Sequence, residues 1–236
     1  MDLMPLLAPF TLADGLAVAL IIALWTALGW VVEHPPAGKP SVSVLMQDYR
    51  RDWLREHVTR QPRIFDATIL GNLRQGTTFF ASACMISIGG GLAVIGNPEQ
   101  LTGLAEDLSL GTTTTLAFEI KIVLILFFLA NAFLKFVWAH RLFGYSSVVM
   151  GAIPNDENHP ATYPRAAKAA EINITAAKSF NRGMRSIYFA LGALGWLVGP
   201  WGLGLGAVVS AVVIWRREFW SQSREVLMQP DGGAPD

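Results

Sequence analysis

The chain is predicted to be an all-α, polytopic helical membrane protein, and three observations carry that prediction. Hydrophobic residues make up 52% of its 236 positions and charged residues only 15%, where a soluble domain carries about a quarter charged. Its apolar residues gather in long runs, several near the roughly 20 residues that cross a hydrocarbon core of about 30 Å. The eighteen lysines and arginines are segregated: seven lie between Glu33 and Arg74, six between Arg141 and Arg185, and three after Trp215. Only Lys121 and Lys135 lie inside an apolar run. Segregation of this kind is the positive-inside pattern, and it predicts orientation as well as class.

The first span is expected over about 12–32. No Lys or Arg precedes it, so it lacks the basic n-region of a cleaved signal peptide and reads as a retained helix with its N-terminus outside. Thr11 or Asp14 suits the cap of its first turn, and an ion or proton ligand is the other role open to Asp14. A cytoplasmic segment, 33–74, follows. Within it Val42, Leu45, Met46, Tyr49, Trp53 and Leu54 recur at helical spacing, predicting a helix from Val42 to Val58 with Arg50, Arg51, Arg55 and Glu56 turned away from that stripe. Such a helix lies either on the inner leaflet, arginines on lipid phosphate, or against neighbouring cytoplasmic helices.

The second and third spans are expected at about 75–95 and 116–138. Between them Asn97 to Thr115 holds Glu99, Glu106 and Asp107 and no base, which suits an outer loop. A second cytoplasmic segment, 141–182, contains a turn-rich stretch from Pro154 to Pro164 and then an alanine-rich helix from Pro164 to Asn181 that runs into the fourth span. Residues 186–215 as one helix would rise about 45 Å and strand Arg216, Arg217 and Arg224 outside. Split at Gly199-Pro200, with glycine ending one helix and proline opening the next, they become spans at 183–198 and 201–217. Trp196 and Trp201 then mark the outer interface, and Trp215 and Trp220 the inner one. The prediction is five spans, four being the alternative, with the C-terminus cytoplasmic and residues 229–236 a disordered tail.

Catalytic and cofactor motifs are missing from the sequence. His34, His57, His140 and His159 stand in different segments without HxxxH or HExxH spacing, so no metal site is predicted. There is no phosphate-binding G-x-x-x-x-G-K-[ST] loop and no G-x-S-x-G elbow. Cys84 is the sole cysteine and reads as a small packing residue, excluding a disulfide framework within one chain. A net charge of zero implies no attraction to nucleic acid. No cofactor is expected.

Polar residues inside apolar runs are costly and raise a functional question by default. Asp14, Glu119, Lys121 and Asn131 form the candidate polar path for an ion or solute. Lys121, Asn131 and Lys135 share one helix face, within about 80° at 100° per residue. The other reading places Glu119 and Lys121 near the outer surface and lets Lys135 snorkel to the inner one. Small residues recur every fourth position at Ala19, Ala23 and Ala27, at Ala83, Ser87 and Gly91, and at Gly202, Gly206 and Ser210, with Gly195 and Gly199 as a further pair. Ladders of that kind bring helix backbones together in lipid, within one chain or between copies.

With those residues placed, five stretches resemble the pattern of the uncharacterised membrane-protein family numbered 599 among domains of unknown function. They are Ile64-Phe65-Asp66-Ala67 leading to Phe79-Phe80-Ala81-Ser82; Phe133-Leu134-Lys135-Phe136-Val137-Trp138 with Arg141; Gly151-Ala152-Ile153-Pro154; Phe180-Asn181-Arg182-Gly183-Met184-Arg185 with Tyr188-Phe189-Ala190; and Arg216-Arg217-Glu218-Phe219. The likeness covers most of residues 12–227. It implies a helical membrane protein without an established activity. It also draws attention to Lys135, Arg141, Arg182, Arg185, Arg216 and Arg217, which with Asn181 and Glu218 form a candidate ring for an anionic ligand or lipid headgroup; topology signalling with phosphate snorkelling is the plainer account.

Three functions compete. The first is a non-enzymatic inner-membrane protein acting through contacts with membrane lipids, as a homo-oligomer or as an accessory subunit of a larger complex. The second is a small transporter or channel using the polar path. The third is a membrane-bound lipid-modifying enzyme using His140, Glu218 or Asp156.

Overall fold

Apolar runs and capping residues set the helix limits in the computed structural model, which describes residues 9–97 and 115–230. Every regular element among them is helical. The elements are α1 (Leu12–Glu33), α2 (Val42–Glu56), α3 (Ile64–Ile95), α4 (Thr115–Gly151), α5 (Thr162–Ala193), a 3₁₀ turn (Leu194–Val198), α6 (Pro200–Phe219) and α7 (Gln222–Leu227). Helices α1, α3 and α4 are each long and apolar enough to cross a membrane. The predicted N-terminal residues 1–8, most of the acidic outer loop with Glu99, Glu106 and Asp107, and the tail beyond Pro230 lie outside the described residues.

Several boundaries follow from local chemistry. Thr11 and Asp14 form a reciprocal box at the start of α1: Asp14 Oδ2 accepts from Thr11 N at 3.0 Å, and Thr11 Oγ1 accepts from Asp14 N at 3.3 Å. Ser41 caps α2, its hydroxyl accepting from Val44 N at 3.2 Å while donating to Val32 O at 2.7 Å. Gly199 has φ +122° and Pro200 opens α6, so the chain breaks where the Gly-Pro pair predicted. In the loop after α4, Asp156 Oδ1 accepts from Asn158 N at 3.0 Å, an Asx turn, and Thr162 Oγ1 donates to Asp156 O at 2.7 Å.

The contacts sort into two compact units. The first gathers residues 9–30, 82–97, 115–133 and 184–215 of the described chain. Its core holds Ile21, Phe128, Phe189, Leu203 and Ala207. Trp25 meets Phe128 edge-on at 5.4 Å, and Phe128 stacks with Phe189 at 6.2 Å. Around the Gly199 break, the end of α5 with the 3₁₀ turn packs backbone to backbone on α6. A Cβ added at Gly195 would sit 2.2 Å from Gly202 O, and one at Gly206 would sit 2.2 Å from Gly192 O. The Gly195, Gly202, Gly206 ladder is therefore used inside the chain. Gly91 meets Leu126 on α4, Ala83 is half-buried, and Ser87 is exposed. Ala19, Ala23 and Ala27 form an exposed stripe on α1.

The second unit gathers residues 31–81, 134–183 and 216–230 of the described chain. Leu54, Leu70, Ala139, Phe143, Ala169, Ala170 and Ala176 build its core, with Trp53 and Phe180 packed against them. The predicted stripe on α2 thus ends on protein. Leu54 is fully buried, while Met46 and Tyr49 are exposed. The helix stops at Glu56, two residues before the expected Val58, which joins Ile153 and Ala166 in a separate small cluster. One of the arginines differs from expectation as well. Arg51 is exposed as expected and pairs with Glu171, but Arg50 does not turn away from the packed face and reaches Asn173 of α5.

Candidate functional site

Helices α2 and α5 lie antiparallel along the second unit, and the pairings between them define a polar seam. Asn181 Nδ2 donates to Ser43 Oγ at 3.1 Å at one end. Arg50 Nη1 donates to Asn173 Oδ1 in the middle, and Arg51 Nε donates to Glu171 Oε1 at 2.7 Å further along. Asn173 is fully buried and donates to Ser146 Oγ at 3.4 Å; that hydroxyl in turn donates to Ala169 O at 3.0 Å. Glu218, at the end of α6, closes the seam. Its carboxylate accepts from Ser43 N at 3.0 Å and from Ser43 Oγ at 2.8 Å. A carboxylate on the first turn of α2 is favoured by the helix dipole.

Two cavities flank this seam. One, of about 230 Å³, is lined by Ser43, Gln47, Arg50, Lys178, Asn181 and Glu218 together with apolar residues. The other, of about 430 Å³, is lined by Arg51, Asp52, Arg55, Tyr163 and Glu171 among others. Their electrostatics differ. Arg51 is answered by Asp48 at 2.8 Å and Glu171 at 2.7 Å, and hydrogen bonds to those acids raise its pKa further. Arg50 has the neutral amide of Asn173 as its partner, and burial pushes its pKa down.

A second polar cluster lies between the end of α2 and the start of α3. Asp66 is fully buried and His57 nearly so. Trp53 Nε1 donates to Asp66 Oδ1 at 2.6 Å, Arg60 Nη1 lies 2.5 Å from the same oxygen, and His57 Nδ1 lies 2.8 Å from Oδ2. Burial alone would raise the Asp66 pKa. Hydrogen bonds from His57 and Trp53, with the charge of Arg60, outweigh it and hold the carboxyl below the usual range. An ionised carboxylate only accepts, so His57 carries its proton on Nδ1.

The residues singled out in the sequence are distributed as follows. Arg182 is paired with Glu33, at 2.8 Å through its Nε. Arg141 lies 5.5 Å over the ring of Tyr145, one turn along its own helix, and its Nε donates to the phenol. Lys135 is half-buried, and its carbonyl accepts from Ser179 Oγ at 2.9 Å. Arg185 is buried near Gly29, while Arg216 and Arg217 are exposed. None of these six lines the smaller cavity, whereas Asn181 and Glu218 do. On the candidate polar path, Asp14 Oδ1 accepts from Trp196 Nε1 at 2.8 Å, Lys121 is buried, and Asn131 accepts from Ser186 Oγ at 3.0 Å; Glu119 is half-buried. Of the residues considered for lipid chemistry, His140 Nδ1 lies 3.2 Å from Thr77 Oγ1, Glu218 is held by Ser43, and Asp156 shapes a turn.

Sequence reasoning missed Ser43, Arg50, Asn173 and Lys178 as one set, and it missed the Asp66 cluster. A signal existed for both. Arg50 stands four residues after Met46 and four before Leu54, on the stripe itself; Trp53, His57 and Arg60 are spaced i, i+4, i+7.

The described residues thus form an all-helical fold with three helices able to cross a membrane, carrying a polar seam in the unit richest in charge. It belongs to the family described as protein of unknown function, DUF599, whose model matches residues 16–223. No curated protein and no solved structure matches the chain.

Proposed function

We propose that the chain is a five-span protein of the cell inner membrane, N-terminus outside and C-terminus cytoplasmic, which acts without catalysis through contacts. One observation carries this reading. Sixteen of the eighteen lysines and arginines belong to the second unit, Lys121 and Arg185 being the exceptions. The first unit draws on five helical stretches, in α1, α3, α4, the end of α5 and α6, and each joins the second unit at one end of its sequence. Basic charge following one sequence end of each of five apolar stretches is what the positive-inside rule produces. The contacts are those of a homo-oligomer or of an accessory subunit in a larger membrane complex. The exposed Ala19, Ala23, Ala27 stripe suits a helix of such a partner. Satisfaction of Asp14 by Thr11 and Trp196, and of Asn131 by Ser186, weighs against a conducting path.

The test is topological. A cysteine at Gln222 in a Cys84→Ala background is expected to resist impermeant thiol reagents in intact cells and to react after permeabilisation. Labelling of intact cells at that position refutes the five-span arrangement.

A further inference from the structure

We infer that the cavity between α2 and α5, bounded by Arg50, Lys178, Gln47 and Asn181, is a binding site for a phosphate oxyanion, either free or as the phosphodiester of a lipid headgroup. The charge on its walls is the first argument. Arg50 and Lys178 are both half-buried, and neither has a carboxylate within 4.0 Å among the described residues. Glu218 is the one acid on the wall, and both of its oxygens are already taken by Ser43. The lining therefore carries a net charge of one positive unit, which a singly charged phosphodiester balances. By contrast Arg51, Arg60 and Arg182 each have their acid.

Energetics is the second argument. A guanidinium partly withdrawn from water beside a neutral amide keeps most of its desolvation cost. An oxyanion bonded to its remaining N–H groups recovers that cost through charge-assisted bonds. The position of Arg50 is not incidental, because Asn173 that holds it is itself anchored through Ser146 to the backbone of α5. Gln47 and Asn181, each donating one N–H to Ser43, add neutral amides to the lining. Size is the third argument: about 230 Å³ falls below the range of about 300–1,000 Å³ typical of drug-sized ligands, which suits a headgroup phosphate better than a nucleotide. The inference rests on the membrane topology proposed above only for its lipid source; binding of free phosphate to purified protein does not depend on it.

The experiment is calorimetric titration of the full chain in neutral detergent with three probes: inorganic phosphate, a soluble short-chain phosphatidylglycerol and its phosphatidylcholine counterpart. Saturable 1:1 binding of phosphate or of the glycerol lipid is expected. Arg50→Gln is expected to weaken it about tenfold or more, the worth of a hydrogen bond to a charged group. Lys178→Gln removes the second cation without touching the Asn173 contact and is expected to weaken binding as well, so the test survives if Arg50→Gln fails to fold. Lys168→Gln, an exposed loss of equal charge on the same helix, is expected to leave affinity within about twofold. Tighter binding of phosphatidylglycerol than of phosphate assigns the site to a headgroup, and the reverse assigns it to a free anion. If neither anionic probe binds, or if Lys168→Gln weakens binding as much as Lys178→Gln, the site does not exist.

Discussion

The two units bury polar groups by different means. In the first, helices meet backbone to backbone through glycine, and the buried carboxylate of Asp14 is held by neutral donors from Trp196 and Thr11. In the second, carboxylates gather charged and polar partners that tie helix ends together: Asp66 binds three side chains from the end of α2 and the loop that follows, and Glu218 binds the start of α2. Shape therefore holds the first unit, and charge holds much of the second. The lesson is that the same kind of helix needs different sequence changes to fail in each.

The largest expected effect is at Asp66. Removing it with Asp66→Ala leaves buried donors from Trp53 and His57 and the charge of Arg60 unanswered, which should cost about 3–5 kcal/mol. Thermal melting in neutral detergent would read it as a drop of several degrees. The pH dependence sharpens the point. The folded pKa of Asp66 lies below its ordinary value, so its stabilisation is complete above that value and is lost as pH falls through the folded one. The wild type should lose its advantage over Asp66→Asn only below about pH 4; an advantage that persists unchanged to pH 2 would contradict the account.

Next comes Gly195→Ala. The added methyl would meet Gly202 O at 2.2 Å, backbone that cannot give way, so the hairpin must open at a cost of about 1–3 kcal/mol. Gly204→Ala, with nothing within 4 Å of the new carbon, should be neutral or slightly stabilising. Equal melting temperatures for the two variants would refute close backbone packing as what holds the first unit. The smallest effect belongs to Arg51→Ala. Its partners Asp48 and Glu171 are exposed, and the change should cost about 0–1 kcal/mol and shrink further in salt.

Much of the helix layout was legible because it depends on local signals. Apolar run length, the Thr11–Asp14 box and the Gly199–Pro200 pair each act within a few residues, and the helices begin or break there. Helix extent was less legible: α3 begins at Ile64, α4 continues to Gly151 and α5 starts at Thr162, since polar residues continue a helix once tertiary packing supports it. The seam was hidden for another reason. Asn181 and Glu218 stood out, but Ser43 meets them, and Arg50 meets Asn173, only when α2 lies against α5 and the end of α6, a pairing that no periodicity encodes. Treating every arginine on α2 as solvent-seeking then misplaced Arg50, because a long side chain on an apolar stripe can run along it to a buried amide.

Ser41 does two jobs with one oxygen, and this restricts which amino acids the corner between α1 and α2 can accept. Its proton goes to Val32 O, near the end of α1, while its lone pair takes Val44 N at the start of α2. Aspartate, as good a helix cap as serine, has no proton to give and would set its charge against that carbonyl. Glycine costs a cap little elsewhere but would abandon both bonds at once. Only a hydroxyl fills the place with its direction intact, so threonine is the conservative replacement and the usual exchange of serine for aspartate is not. The grammar of that position is written by two helices together, and neither alone would reveal it.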